Sequence, residues 1–333
     1  MRRIVTGILI LALLLPLSGC LNQEKDIDID REHFPDEVLW EAARKKDLDH
    51  NTKLSSDEIE SATKIYLDGV QDLTGLEVFT SLDSISLKNG KNMKYDFKCF
   101  TNLRSIAIDG TWASDRIDLS GNTNLQWIKI KCKNLEELIL PEDAPLKELT
   151  CIKSQLTDMD LNNYKSLKII HIESNNSITE LEFSGLPELT ELNCSDNKLL
   201  NKITIRDCPN LKKLECSFNN LTELNISGCE ELEELKCISN NLCKLDVSAY
   251  KNLKSLECDT NNLTELDVTG CPNLGWLLCE DNGLSSLDIR NCPKLTELMQ
   301  NVEAEERASG CIVYRDRNIR MLRFDIDVRL ITD

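Results

Sequence analysis

A leucine-like residue returns every 20 to 22 positions along most of the chain: Ile65, Ile85, Ile106, Ile128, Leu149, Ile170, Leu192, Leu214, Leu235, Leu256, Leu277 and Leu298. A unit this short cannot enclose a core of its own. It buries its apolar face only against the next unit, so the spacing demands a solenoid. Later units follow LxxLxCxxNxLTxLDVSxCPN and contain two short runs of alternating apolar and polar residues, such as Leu256-Glu257-Cys258 and Leu263 to Val268. Period-two alternation marks a half-buried strand, which predicts one strand per coil in each of two parallel sheets. Gly228, Gly270, Pro209, Pro272 and Pro293 fall between the runs, where turns belong.

Three columns of residues repeat with the coils. Asn175, Asn197, Asn219, Asn240, Asn261 and Asn282 each follow their anchor by five positions. Their amides offer both a donor and an acceptor, and are expected to satisfy the backbone at stacked turns. Cys151, Cys194, Cys216, Cys237, Cys258 and Cys279 share a strand face with the inward leucines and read as small apolar core groups. Cys208, Cys229, Cys271 and Cys292 form a second set, in which Tyr250 takes one turn. In-register parallel neighbours aim their Cβ atoms the same way, which suits a disulfide framework poorly. Isolated bridges remain open for Cys99, Cys132, Cys243 and Cys311, which stand outside both sets. Zinc is not expected, because the chain has no CxxC and only His33, His50 and His171, widely scattered. Nucleotide is not expected either.

This pattern resembles leucine-rich repeats, in particular the short bacterial class of 21-residue units with two nested LxxL segments, sometimes called IRREKO repeats. The resemblance covers about Ile65 to Met299. It implies a β-rich solenoid with two parallel sheets, and a role in protein binding. Catalysis is not expected, since no segment breaks the repeat to build a cleft. A calcium-stabilised spacer is the other reading, and a carboxylate-dependent hydrolase the remotest.

The first residues, MRRIVTGILILALLLPLSGC, place two arginines before an apolar run and end on a small-residue site. That layout is a secretory signal. Its LSGC ending resembles the lipobox of bacterial lipoproteins, which implies export, Cys20 as the lipid-attachment residue and a membrane-anchored, outward-facing protein. The expected organisation is a signal at 1–20, an acidic linker at 21–34, a helical cap at 35–64, the solenoid at 65–300 and a β-rich C-terminal cap at 301–333. The net charge of −18 repels phosphate backbones, so nucleic acid is not an expected partner.

Before the first coil, Asp36 to Lys46 has apolar residues at helical spacing, and DLDHNTKLSSDE follows. This stretch resembles an EF-hand loop, with Asp47, Asp49, Asn51, Lys53 (through its carbonyl), Ser55 and Glu58 as the implied calcium ligands. Thr52 stands where such loops have glycine. Ser55 to Glu58 equally fits a capping box that starts a helix without metal. Internalin-type bacterial surface proteins are similar in placing an EF-hand-like helical cap before their repeats.

Candidate partner-binding residues flank the anchors on the outward face: Trp127, Trp276, Leu278 and Met299, the last three expected as neighbours. The competing reading is that residues after 301 fold back over them. On the second strand, Asp160, Glu182, Asp246, Asp267 and Asp288 form a column, which must be solvated, locally bonded or neutralised by cations or a basic partner.

Overall fold

The computed structural model describes residues 26–90, 96–110, 115–307, 311–316 and 320–332; Cys20 and the signal lie outside the described residues. One strand per coil, from Lys64–Asp68 to Trp276–Leu278, joins a long parallel sheet in which each anchor lies opposite the next. Ile65 faces Ile85, Ile106 faces Ile128, Leu192 faces Leu214 and Leu256 faces Leu277. This register puts all of these leucine-like side chains on the inner face, where they are buried. Cys151, Cys194, Cys216, Cys237, Cys258 and Cys279 are buried beside them as thiols, as the strand alternation predicts.

The asparagine column does what its amides allow. Asn197 Oδ1 accepts from the Asn175 N–H at 2.7 Å, while its own Nδ2 donates to the Ile172 and Cys194 carbonyls, both at 2.7 Å. Further along, Asn240, Asn261 and Asn282 accept from the N–H of Leu221, Leu242 and Leu263. Asp325 ends the column, its carboxylate accepting from the N–H of Asp281 and Asn282 at 2.8 and 3.2 Å. The residue before each asparagine is left-handed: Ser174, Asp196, Phe218, Ser239, Thr260 and Asp281 have φ between 52° and 58°. No glycine marks this turn in the sequence. The asparagine bonds hold a conformation that costs an ordinary L-residue about 1–2 kcal/mol.

Two expectations need correction. The second sheet is discontinuous: Arg116–Asp118 pairs with Glu137–Ile139, and Glu180–Ser184, Lys202–Arg206 and Glu223–Ser227 form a separate sheet. Beyond these, Asp246, Asp267 and Asp288 are joined by single bridges. The five-residue strands of that separate sheet lie in the units from Ile170 to Leu235, of which the first two are one residue longer than those after them. Second, Leu298 is not a strand anchor. Pro293 opens a helix, Pro293–Asn301, because its fixed φ and missing N–H suit a first helical turn. The next place in the long sheet is taken by Met321–Asp325, which runs parallel to Trp276–Leu278 with Leu322 opposite Leu277. Cys311–Arg315 and Glu305–Glu306 extend the sheet antiparallel, so the cap begins before residue 301.

At the other end, α1 (Glu37–Arg44) starts at Asp36, whose Oδ1 accepts from the Val38 and Leu39 N–H. The other oxygen of Asp36 accepts from Gln71 N–H at 2.8 Å, tying the cap to the first coil. Phe34 and Phe79 pack across the same junction with ring centroids 6.2 Å apart. Gly75 permits this approach: its φ is 96°, and a Cβ there would stand 2.3 Å from the His33 carbonyl oxygen.

Candidate functional site

The outward face of the long sheet is rigid, since its strands are bonded on both sides through most of its width. In Trp127–Cys132 the alternation buries Ile128, Ile130 and Cys132 and turns Trp127 and Lys129 outward. Trp127 is 38% exposed, and the Lys147 ammonium lies 5.2 Å from its ring centroid, a cation–π arrangement. Tyr66, 59% exposed, stands on the same face. Between the two aromatics the register places only small side chains: Ser86 lies opposite Tyr66, Ala107 opposite Ser86, and Ser105 opposite Trp127. The three strand intervals separating Tyr66 from Lys129 amount to about 14 Å. A floor of small residues bounded by Tyr66, Trp127 and Lys129 can seat an apolar side chain and orient a neighbouring anionic or carbonyl group.

The far half of this face is acidic. Glu215, Glu234, Glu257, Asp259 and Glu280 stand there with Lys213, Lys236 and Arg323 among them; the Lys213–Glu234 and Lys236–Glu257 contacts are 3.6 and 3.4 Å. Arg323 Nη2 lies 3.3 Å from Asp259 Oδ2 and 2.9 Å from Glu280 Oε1. One guanidinium thus faces two carboxylates in a buried setting, and burial pushes the Asp259 carboxyl up to about 6 despite Arg323.

Of the expected contact residues, Trp127 alone is exposed. Leu278, 7% exposed, packs with Cys311, Val313 and Met321, and Trp276 leans on the same cluster. Met299 sits on the Pro293–Asn301 helix against the core. The expected neighbourhood of Trp276, Leu278 and Met299 is therefore not an open patch: the C-terminal hairpin needs an apolar surface to dock on, and Trp276 and Leu278 provide it. Tyr66 was missed, although its position directly after the first anchor is the outward position that identifies Trp127 as one of a flanking pair.

In the N-terminal loop, carboxylate oxygens of Asp47, Asp49 and Glu58 lie within 4.8 Å of one another, Asp47 and Glu58 being buried. Asp47 accepts from the N–H of Asn51 and Thr52, and Asn51 Oδ1 from that of Lys53. Thr52 has φ 68°, the conformation for which such loops use glycine. The capping box at α2 (Ser56–Ser61) is present: Glu58 Oε2 accepts from Ser55 N–H at 2.9 Å and Ser55 Oγ–H at 2.7 Å, while Glu58 Oε1 accepts from Leu48 N–H at 2.6 Å. These bonds hold the Glu58 carboxyl below its usual range although its burial opposes this. Each carboxylate oxygen has two acceptor sites, so the same loop can keep these bonds and still present oxygen to a hard cation. Lys53 and Ser55 lie in the loop at the expected places, Lys53 in a short strand paired with Ile27–Asp28.

Buried thiols are not a reactive site. Burial pushes Cys151 up to about 11 and raises its ladder neighbours further, so these groups are neutral packing atoms. Cys132 is a buried thiol and Cys243 an exposed one. The acidic column on the second strand is satisfied locally: Asp160, Asp246, Asp267 and Asp288 each accept from the N–H two residues on, at 2.9 to 3.0 Å.

These features define a leucine-rich-repeat solenoid, and solved structures agree. The functional domain of InlJ from Listeria monocytogenes, described as including a cysteine ladder, is 25% identical with a TM-score of 0.56; the match covers 82% of this chain and 70% of that one. An internalin, InlF, from the same organism is 18% identical with a TM-score of 0.42, covering 81% of this chain and 96% of that one. No family model matches the sequence, and neither does any curated protein.

Proposed function

We propose that the chain is an exported, membrane-anchored protein that recognises another protein through the outward face of its long sheet, without catalysis. The observation that carries this reading is the pair Tyr66 and Trp127, exposed on a rigid floor of serine and alanine. Large aromatics held in place lose little entropy on binding and dominate interfaces. The likeness to the functional domain of InlJ supports a binding role over an enzymatic one. The LSGC sequence supports attachment through Cys20. No described helix is long and apolar enough to cross a membrane. Comparing proteins captured by the wild-type chain and by Tyr66→Ser/Trp127→Ser tests the face; identical captures would reject it. Fatty-acid labelling that survives Cys20→Ala would reject the anchor.

We also propose that calcium binds the Asp47–Glu58 loop as a structural ion. The supporting observation is the convergence of three carboxylates, two of them buried, whose mutual repulsion a divalent cation offsets. Asp47, Asp49, Asn51, Ser55 and Glu58 would hold it by side-chain oxygen and Lys53 by its carbonyl. Titration calorimetry with calcium, and with the Asp49→Asn variant, decides this: no heat and no stabilisation at millimolar calcium would reject it.

A further inference from the structure

The asparagine column does not reach the first coils: Lys133 and Ser154 stand where the next coils have Asn175 and Asn197. The turns there differ as well. Asn89 and Lys153 take the left-handed turn, with φ of 52° and 57°, whereas the two coils between them stay in the sheet through the pair Gly110–Cys132. Along this edge runs a groove enclosing about 550 Å³ and bordered from Asn89 to Asp196. Those limits are five coil spacings apart, about 24 Å. Among the described residues, no aromatic or aliphatic side chain borders it. Lys131, Lys133 and Lys153 meet there, in a chain of net charge −18. Lys131 Nζ lies 3.4 Å from Asp109 Oδ2, while Lys133 and Lys153 are exposed and form no ion pair among the described residues. Beyond the lysines, Asp196 accepts from Ser174 Oγ–H at 2.8 Å. Gln155 Oε1 accepts from Ser177 Oγ–H at 3.2 Å, which leaves the Gln155 amide N–H groups as donors.

We propose that this groove binds an acidic saccharide, a chain of sugar units that carry carboxylate groups. A lining of polar side chains gives an apolar ligand nothing to bury against, unlike the hydrophobic walls of most small-molecule pockets. Ammonium groups on long stems serve as adaptable point charges for carboxylates. Gln155, Ser174, Asn176 and Asp196 offer donors and acceptors to sugar hydroxyls. Spacing separates a saccharide from an acidic peptide. Lys131 lies opposite Ile152, directly before Lys153, on the adjacent strand, so the lysines advance by about 4.8 Å from coil to coil. That step is close to the length of one sugar ring along its chain. An extended peptide returns a side chain to the same side only every ~6.8 Å. The site does not rest on the protein-binding reading: neither Tyr66 nor Trp127 borders the groove, and Trp127 opens the strand near whose other end Lys131 lies.

The test is titration calorimetry of the full chain with tetragalacturonate, at fixed low ionic strength and with a chelator present so that no calcium bridges the two. Saturable heat is expected below millimolar saccharide, and none from neutral maltotetraose. Lys133→Gln/Lys153→Gln, two exposed positions, is expected to weaken binding roughly tenfold, and Lys244→Gln on a distant coil to leave it unchanged. Amine acetylation read by mass spectrometry needs no variant: bound saccharide is expected to slow labelling of Lys133 and Lys153 severalfold and to leave Lys244 as it was. The proposal is overturned by no heat at millimolar saccharide, by a tetraglutamate peptide that binds as tightly, by an unchanged affinity in the double variant, or by labelling of Lys133 and Lys153 that the saccharide does not slow.

Discussion

The Tyr250 hydroxyl donates to the carbonyl of Ile226, one coil earlier, in the column where other coils place cysteine. Tyr250→Phe keeps the ring and removes the donor, leaving a carbonyl in a low-dielectric setting without a partner. A loss of about 1–2 kcal/mol in urea unfolding is expected. A stability equal to wild type would show that water satisfies this carbonyl.

The Asn197 side chain accepts from the Asn175 N–H and donates to the Ile172 and Cys194 carbonyls, so its amide joins two successive coils. Asn197→Ala strands the Asn175 N–H and the Ile172 carbonyl. Denaturant melts should show a loss of about 2–4 kcal/mol. Asn197→Asp should recover only part of this, because the carboxylate accepts but cannot donate.

Thr260 occupies the left-handed turn with φ 55°, a position a β-branched residue tolerates poorly. Thr260→Gly should raise stability by about 1 kcal/mol, the relief of the left-handed conformation exceeding the added freedom of the unfolded chain. The check is a rise in the thermal midpoint without change in the circular dichroism spectrum.

Asp259 predicts an unusual pH response of the C-terminal cap. Burial raises its carboxyl from 3.8 to about 6 in the folded state. Between these values the folded protein binds more protons than the unfolded one, so stability rises as pH falls from 7 toward 4.5. The gain is at most roughly 3 kcal/mol. Asp118, held down to about 2 chiefly by Ser120 and Lys98, loses its contribution only at lower pH. Amide exchange of Met321–Asp325 at pH 7 and pH 5 measures the effect, and Asp259→Asn should abolish it. Protection that falls on going to pH 5 would refute the assignment.

The long sheet was legible because its determinants are local and repeated: anchors in register, alternating faces, an asparagine in each coil from Asn175 to Asn282. The second sheet was not, because its continuity depends on how closely neighbouring coils approach, which the repeat's alternation does not fix. The C-terminal cap misled for a related reason. Leu298 keeps the repeat's spacing, yet Pro293 favours a helix and the distant segment MLRFD offers the same alternation for the vacant sheet edge. At the candidate face, Trp127 was visible as an aromatic beside an anchor, whereas covering of Trp276 and Leu278 required knowing where a segment some 40 residues later returns. The convergence of Asp47, Asp49 and Glu58 and the capping box at Ser55 were readable residue by residue, since both are contiguous in the chain.

In the proposed recognition, a partner protein seats between Tyr66 and Trp127. The most direct measurement places a photo-crosslinking benzoylphenylalanine at Ala107, in the floor between them, in the full chain displayed on its own cell surface. One reproducible protein adduct is predicted, reduced roughly tenfold by Trp127→Ala and unaffected by Lys294→Ala on the far end of the solenoid. Absence of any protein adduct, or an adduct equally strong with Trp127→Ala, would contradict the claim.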